Sequence, residues 1–305
     1  MVRSSLLLVS LVLMSLVTKA QQATLYSQYM FNGLAINPAY AGSSEALNFT
    51  ATGRKQWSGV EGAPSTLTFS AHTPIRKEKM ALGALITNDR ISVFTQTTLN
   101  IIYAYRLHLS SKSTLSFGLQ AGASNYLARY SDLTYKTAYD PTLQQEDYNT
   151  ITPGFGAGIY YNSKKFYAGA SVPYLASNFL ASKYVANRLE LKNHYFFTAG
   201  YVAQVNEYLK FKPSTLIKYI EGAPVQIDYN ANFLYKEVLW LGVSYRSATS
   251  LVFLGQVYAN DQLSFGYSYD HSLSKLSGFK TGAHEIMISY LFSYTKTKVV
   301  TPRYF

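Results

Sequence analysis

The chain has no cysteine among its 305 residues, so it forms no disulfide and offers no thiolate to a metal or a substrate. Charge is also scarce: Asp, Glu, Lys and Arg together make 14% of the sequence, against the roughly 25% usual for a soluble domain. Hydrophobic residues make 48% of the chain. Even so, no apolar run beyond residue 20 approaches the ~20 residues of a membrane helix. The histidines, His72, His108, His194, His271 and His284, fall in no metal-ligand spacing, and His284-Glu285 lacks the second histidine of a zinc-protease helix. No glycine-rich phosphate loop stands between a strand and a helix. A Ser–His pair across neighbouring strands, Ser268 with His271 or His284, is the one nucleophile arrangement the sequence offers. Nucleophilic catalysis also needs an orienting third group and an oxyanion site, so interface and loop histidines are the plainer expectation. No catalysis, cofactor or metal is expected.

What the chain has is tyrosine, 28 residues of it, and one pattern repeated about fourteen times. Segments of roughly ten residues alternate apolar with polar or small side chains and stop at a polar turn. Leu263, Phe265, Tyr267 and Tyr269 alternate with Ser264, Gly266, Ser268 and Asp270. Val225, Ile227, Tyr229, Ala231, Phe233 and Tyr235 alternate with Gln226, Asp228, Asn230 and Asn232, and Leu239, Leu241, Val243 and Tyr245 with Trp240, Gly242, Ser244 and Arg246. Side chains in a strand point to opposite faces with period two, so each segment is greasy on one side and wet on the other. That pattern predicts an all-β fold, a transmembrane antiparallel β-barrel with lipid outside and a polar interior. Tyrosine suits the bilayer interface, where its ring is buried and its hydroxyl stays wet.

The predicted strands are 46–56, 64–74, 80–88, 93–107, 113–127, 151–161, 164–172, 192–206, 208–220, 223–235, 238–247, 250–260, 262–270 and 284–294. Turns after even-numbered strands are short and polar, whereas the long connections 128–150, 173–191 and 271–283 follow odd-numbered ones. Bacterial barrels have an even strand number, short periplasmic turns and longer outer loops, so this parity gives the orientation. Twelve or sixteen strands satisfy it as well as fourteen. The connection from Pro173 includes a short helical turn around Leu175 to Leu180. The 128–150 loop carries Asp132, Asp140, Glu146 and Asp147 but no recognised calcium-loop spacing. Gly154, Gly156 and Gly158 let their strand bend and lumen side chains pack.

Residues 1–20 read as a signal peptide, with Arg3, an apolar core from Leu6 to Val17 and the cleavage stretch Thr18-Lys19-Ala20. No cysteine follows it, so no lipid anchor is expected. Residues 21–45 form a plug-like N-terminal lead-in, 46–294 the outer-membrane barrel and 295–305 a basic periplasmic tail. The formal net charge is +11, two of it from the leader. It favours acidic partners or anionic outer-membrane lipids; nucleic acid is not expected of an exported barrel. Inward faces read as Ser, Gly, Asn and Gln, with Arg106, Lys210, Lys212, Lys218, Asp228 and Arg246 as the charged exceptions. A passive porin would carry more charge of both signs there, and remains the alternative class.

The lead-in does not alternate. Tyr29, Met30, Phe31, Leu34 and Ile36 need shelter, in the periplasmic mouth or the lumen, as a simple plug or as a gate or docking element. Gln28-Tyr29-Met30-Phe31-Asn32, then Asn37-Pro38-Ala39-Tyr40-Ala41-Gly42, Arg54, Gln56-Trp57 and Gly62-Ala63-Pro64 resemble the PorP/SprF family of outer-membrane proteins. So do Gly282-Ala283-His284-Glu285-Ile286, Tyr290-Leu291-Phe292 and the ending Pro302-Arg303-Tyr304-Phe305. The resemblance implies a barrel of the type IX secretion system of gliding and pathogenic bacteria. One branch of the family is a core subunit contacting periplasmic ring proteins. The other, more populous branch pairs with secreted adhesins, aiding export and holding their C-terminal domains at the surface. Partner-binding candidates are Tyr29, Phe31, Asn37, Pro38, Tyr40, Arg54 and Trp57 from the resembling stretch. Tyr130, Tyr135, Tyr139 and Tyr148 join them on the outer loop, because tyrosine gives large contact area at low entropy cost. Arg76-Lys77, Lys79 and Lys164-Lys165 would face the periplasm.

Overall fold

Alternation at period two gives every segment one face for lipid and one for the interior, and the abundant β-branched and aromatic residues favour the extended backbone. The computed structural model describes residues 26–44, 46–75, 79–133, 146–175, 193–247, 249–273 and 282–292. Fourteen antiparallel strands form there. They are β1 (Leu47–Lys55), β2 (Ser65–Ile75), β3 (Met80–Ile91), β4 (Phe94–Ser110), β5 (Ser113–Ala128), β6 (Tyr148–Ser163) and β7 (Phe166–Leu175). Then come β8 (His194–Tyr201, resumed after Val202 by Ala203–Gln204), β9 (Leu209–Ile220), β10 (Gln226–Tyr235), β11 (Leu239–Arg246), β12 (Ser250–Tyr258), β13 (Leu263–Ser272) and β14 (Ala283–Phe292). Both pieces of β8 pair with β9, so they count as one strand. Each strand pairs with the next, and β1 closes on β14 from Leu47 opposite Phe292 to Lys55 opposite His284. Closure removes the free edges, which hydrocarbon cannot hydrogen-bond.

Burial runs opposite to that of a soluble protein. Leu67, Leu119 and Ile151 are 63%, 62% and 67% exposed, while Arg54, Asp228 and Glu285 are at most 5% exposed. Apolar side chains therefore cover the outside and polar ones line the interior, as the alternation predicts. Within the described residues no α-helix is long and apolar enough to cross a membrane.

The connections sort as expected. After even-numbered strands they span residues 76–79, 111–112, 164–165, 205–208, 236–238 and 259–262, none longer than four residues. After odd-numbered strands lie the long ones, 56–64, 129–147, 176–193 and 273–282, with the shorter 92–93, 221–225 and 247–249. The end that carries the long connections is the cell-surface mouth.

Two boundaries differ for physical reasons. The sequence opens the seventh connection at Pro173, but β7 runs on to Leu175. Pro173 and Tyr174 lie opposite Gly156 alone, between the Val172–Ala157 and Leu175–Phe155 pairs. Proline is tolerated at such a bulge, where no ladder donor is lost. Gln120 Nε2 donates to the Pro173 carbonyl at 2.7 Å. The helical turn expected from Leu175 thus starts on a strand residue, and its remainder falls outside the described residues. β3 also extends to Ile91, because the tight turn at Ser92 (φ +52°) lets it pair with Phe94. The leader and the basic tail lie outside the described residues too.

Leu119 on β5 points at lipid, so Leu119→Arg should cost about 2–4 kcal/mol in equilibrium unfolding from vesicles. A loss below about 0.5 kcal/mol would mean that this face is not in the bilayer.

Candidate functional site

The segment before β1 packs against the inward faces of the wall. Asn37 starts it off: its extended backbone caps the 3-10 turn Pro38–Tyr40, its Oδ1 accepting from Ala39 N–H at 2.9 Å. Its Nδ2 donates to the Ile159 carbonyl of β6 at 3.0 Å. Ser171 of β7 donates to the Ile36 carbonyl at 2.6 Å, Gly42 N–H donates to His72 Nδ1 of β2 at 3.1 Å, and Asn230 of β10 donates to the Tyr29 hydroxyl at 2.8 Å. Apolar contacts fill the rest. Tyr29, Met30 and Ile36 cluster with Phe196, Leu216 and Leu254, and Leu34 and Ala41 with Ala81, Leu85, Ile102 and Ala104. Tyr40 meets His72 and Tyr160 edge-on at 5.6 and 5.4 Å, and Phe31 lies 6.0 Å from Trp240.

Close approach explains two glycines. A Cβ on Gly118 of β5 would collide with the Ala39 nitrogen, and one on Gly158 of β6 with Asn37 Oδ1. Backbone and strand meet there with no room for a side chain.

At the other end the segment meets charge. Arg54 lies directly across the β1–β14 junction from Glu285, and Arg246 directly across from Asp228. Arg54 Nη2 pairs with Asp270 Oδ2 at 2.7 Å and Nη1 with Glu285 Oε2 at 3.2 Å. Arg246 Nε pairs with Asp228 at 3.2 Å and its Nη1 with Asp270 Oδ2 at 3.2 Å, across the inward face of β12. Tyr26–Gln28 completes the cluster. Ser27 and Gln28 N–H groups donate to the two oxygens of Glu285, each at 2.9 Å. The Ser27 hydroxyl accepts from Arg54 Nη1 and donates to Asp270, both at 2.7 Å. Arg246 Nη2 donates to the Tyr26 carbonyl at 3.1 Å. Three carboxylates pair with two guanidiniums in this group, Lys218 of β9 is buried near Asp228 and Arg246, and the two segment amides bind Glu285. Every charged member lies within two residues of the cell-surface end of its strand.

The candidates named from the sequence therefore separate. Tyr29, Phe31, Asn37, Pro38, Tyr40 and Arg54 come together inside the barrel, packed against its own wall. Trp57 sits in the first outer connection, 46% exposed with φ +48°. Tyr130 packs edge-on against Phe94 at 5.8 Å. Tyr148 opens β6 beside Asp147, whose carboxyl the Ser131 N–H holds below the usual range. Tyr135 and Tyr139 fall outside the described residues, as do Arg76 and Lys77. No group of metal-ligating side chains occurs among the described residues. The proposed Ser–His pair does not form: Ser268 points inward, opposite Glu285, while His271 and His284 lie on the lipid-side face. His284 Nδ1 instead meets the Tyr267 hydroxyl at 2.7 Å.

The charged exceptions read from the sequence omit Arg54, Asp270 and Glu285, the centre of the cluster. Their inward phase was visible in the alternation; their meeting was not, since Arg54 and Glu285 are 231 residues apart. Lys210 sits nearer the periplasmic rim and pairs with Glu237 of the turn after β10.

A closed antiparallel wall, apolar outside and polar within, defines an outer-membrane β-barrel. Residues 18–290 match the family described as type IX secretion system membrane protein PorP/SprF, and the chain belongs to that family. Among solved structures, the CymD monoaromatic hydrocarbon channel is similar at TM-score 0.50 and 11% identity, over 90% of this chain and 95% of that one. The Acinetobacter baumannii outer membrane protein Omp33 is similar at TM-score 0.45 and 9% identity, over 82% and 100%. Likeness at this identity concerns the fold alone. No curated protein matches the sequence. The protein is thus an outer-membrane barrel of the type IX secretion system.

Arg54→Ala strands Glu285 and leaves Asp270 with one cation, so it should cost about 3–5 kcal/mol. Denaturant titration of the refolded barrel measures this, and Arg54→Ala with Glu285→Ala should lose less than the two single losses added together.

Proposed function

We propose that this barrel assists export of a secreted protein and retains it at the cell surface, binding a C-terminal domain of the kind large adhesins carry, without chemistry of its own. The observation that carries the proposal is the occupied interior. Residues 26–44 hydrogen-bond to strands from β1 round to β14, and they pack apolar side chains against inward-facing ones of the wall. A wall of this strand number is wide enough to hold more than its own side chains. On this reading the segment serves as a plug, and the protein is a scaffold that grips a partner instead of an open solute pore. Trp57, Tyr130 and Tyr148 on the cell-surface side are the anchors for that partner, with Tyr135 and Tyr139 of the same loop. Cleavage of the leader after Ala20 delivers the chain to the envelope.

A core-subunit role is the second reading. Lys79, Lys112, Lys164 and Lys165 are exposed on the short turns, a basic rim suited to acidic periplasmic partners. Co-purification from outer membranes separates the two: an exported adhesin supports the first, and ring subunits the second.

Deleting residues 21–42 should leave a folded barrel that conducts ions in planar bilayers while partner export stops; the intact protein should be electrically silent. Normal export by the deletion variant, or a steady open pore in the intact protein, overturns the proposal.

A further inference from the structure

The two halves of the internal segment are held by different physics. From Leu34 to Gly42 it is locked by shape: Gly118 and Gly158 admit Ala39 and Asn37 with no space to spare, Leu34 is 1% exposed, and the chain continues covalently into β1 at the periplasmic end. Ser27 and Gln28, by contrast, are held by hydrogen bonds to the charge cluster at the cell-surface mouth, with Tyr26 adding its carbonyl bond to Arg246 while its ring packs on the apolar cluster. Such bonds exchange readily with water or with another peptide, whereas an interdigitated apolar contact does not. The cluster is also unfinished without a peptide. Glu285 has one cationic partner, Arg54, and receives its other donors from two consecutive backbone N–H groups; Asp270 takes a hydroxyl proton. Arg54 Nε and Gln28 Oε1 are buried with no hydrogen-bond partner among the described residues, so the fit to this particular peptide is imperfect.

We propose that Arg54, Asp270, Glu285 and Arg246 form a peptide-binding site at the cell-surface mouth. The chain's own Tyr26–Gln28 fills it in cis, and an extended, hydroxyl-bearing stretch of the exported polypeptide takes it when that end lifts outward. The site recognises two successive backbone N–H groups through one carboxylate, a serine or threonine hydroxyl between Arg54 and Asp270, and a preceding carbonyl through Arg246. The idea rests on the secretion reading, and it adds where the polypeptide is held and which way the segment opens.

The absence of cysteine makes a clean test. Ser27→Cys places the only thiol of the full-length barrel at a position 1% exposed. The probe is a bulky, membrane-impermeant maleimide added to intact cells. Glu61→Cys in the first outer connection is the accessible control, and Lys112→Cys in the turn after β4 is the shielded one. The thiol at position 27 should stay protected where type IX export is blocked, and should react roughly tenfold faster where export runs, the factor expected for losing one charged hydrogen bond. Adding Glu285→Gln should speed labelling by a similar factor without export. If Ser27→Cys does not assemble, Gln28→Cys reports on the same end and keeps both backbone donors. Labelling only after the outer membrane is permeabilised overturns the direction of opening. Equal rates with and without export, in a strain where the 21–42 deletion still stops export, overturn the site and leave the secretion reading standing. No acceleration by Glu285→Gln in an assembled barrel removes that carboxylate from the site.

Discussion

The junction of β1 with β14 is the constraint on which the rest of the molecule depends. A sheet in hydrocarbon has no tolerable edge, so the first and last strands must find each other across more than two hundred residues of intervening chain. Their shared inward face begins with Thr50 bonded to Ser289 and ends with Arg54 opposite Glu285. Mispairing by one residue would turn Arg54 toward the lipid side and leave Glu285 and Asp270 buried without it. The ion pair thus helps define the register of the ring as well as its closure. It also fixes where the N-terminal segment can attach, because Ser27 and Gln28 bind to residues that adjoin only once the ring has closed.

Breaks in the alternation make physical sense once the interior is considered as a packing problem. A barrel this wide lined only with Ser, Thr and Asn would hold water. Phe196, Leu216 and Leu254 nevertheless face inward, as do Leu85 and Ile102. Each is an apolar residue at a position that the polar-in rule assigns to lumen. Each lies where residues 29–41 supply an apolar partner, so the segment and the wall bury one another. The Trp240 ring, fully buried on β11, belongs to the same account, with Phe31 on one side and Lys212 over its face at 5.7 Å.

Much of this architecture was legible in the chain because lipid inverts the usual rule. Outward faces had to be continuously apolar, so runs such as Leu263 to Tyr269 announced strand, face and phase together. Turn parity then fixed orientation without reference to any single residue. Two kinds of information were beyond the pattern. Pro173 read as a terminator because a bulge is a property of a pair of strands, and its partner Gly156 carries no mark of it. The charge cluster was hidden for the same reason. Asp228, Arg246, Asp270, Glu285 and Arg54 come from five strands, and only register brings them together. The clue available was weaker: on a chain so poor in charge, inward-phase ionised groups near the ends of neighbouring strands must find partners or leave the barrel wall. Apolar residues in inward phase were the corresponding clue to the segment's path.

The cluster and the segment cannot be assigned separate roles, and electrostatics is the reason. Glu285 lies fully buried with Arg54 as its ion-pair partner, and desolvation penalises any buried ion that lacks full compensation. Here the compensation comes from the amides of Ser27 and Gln28, which belong to a stretch of chain that is not part of the wall. Glu285 therefore has its full set of donors only with residues 27 and 28 in place. Lifting that stretch away would leave the carboxylate with Arg54 alone, so the wall and the segment share one electrostatic balance.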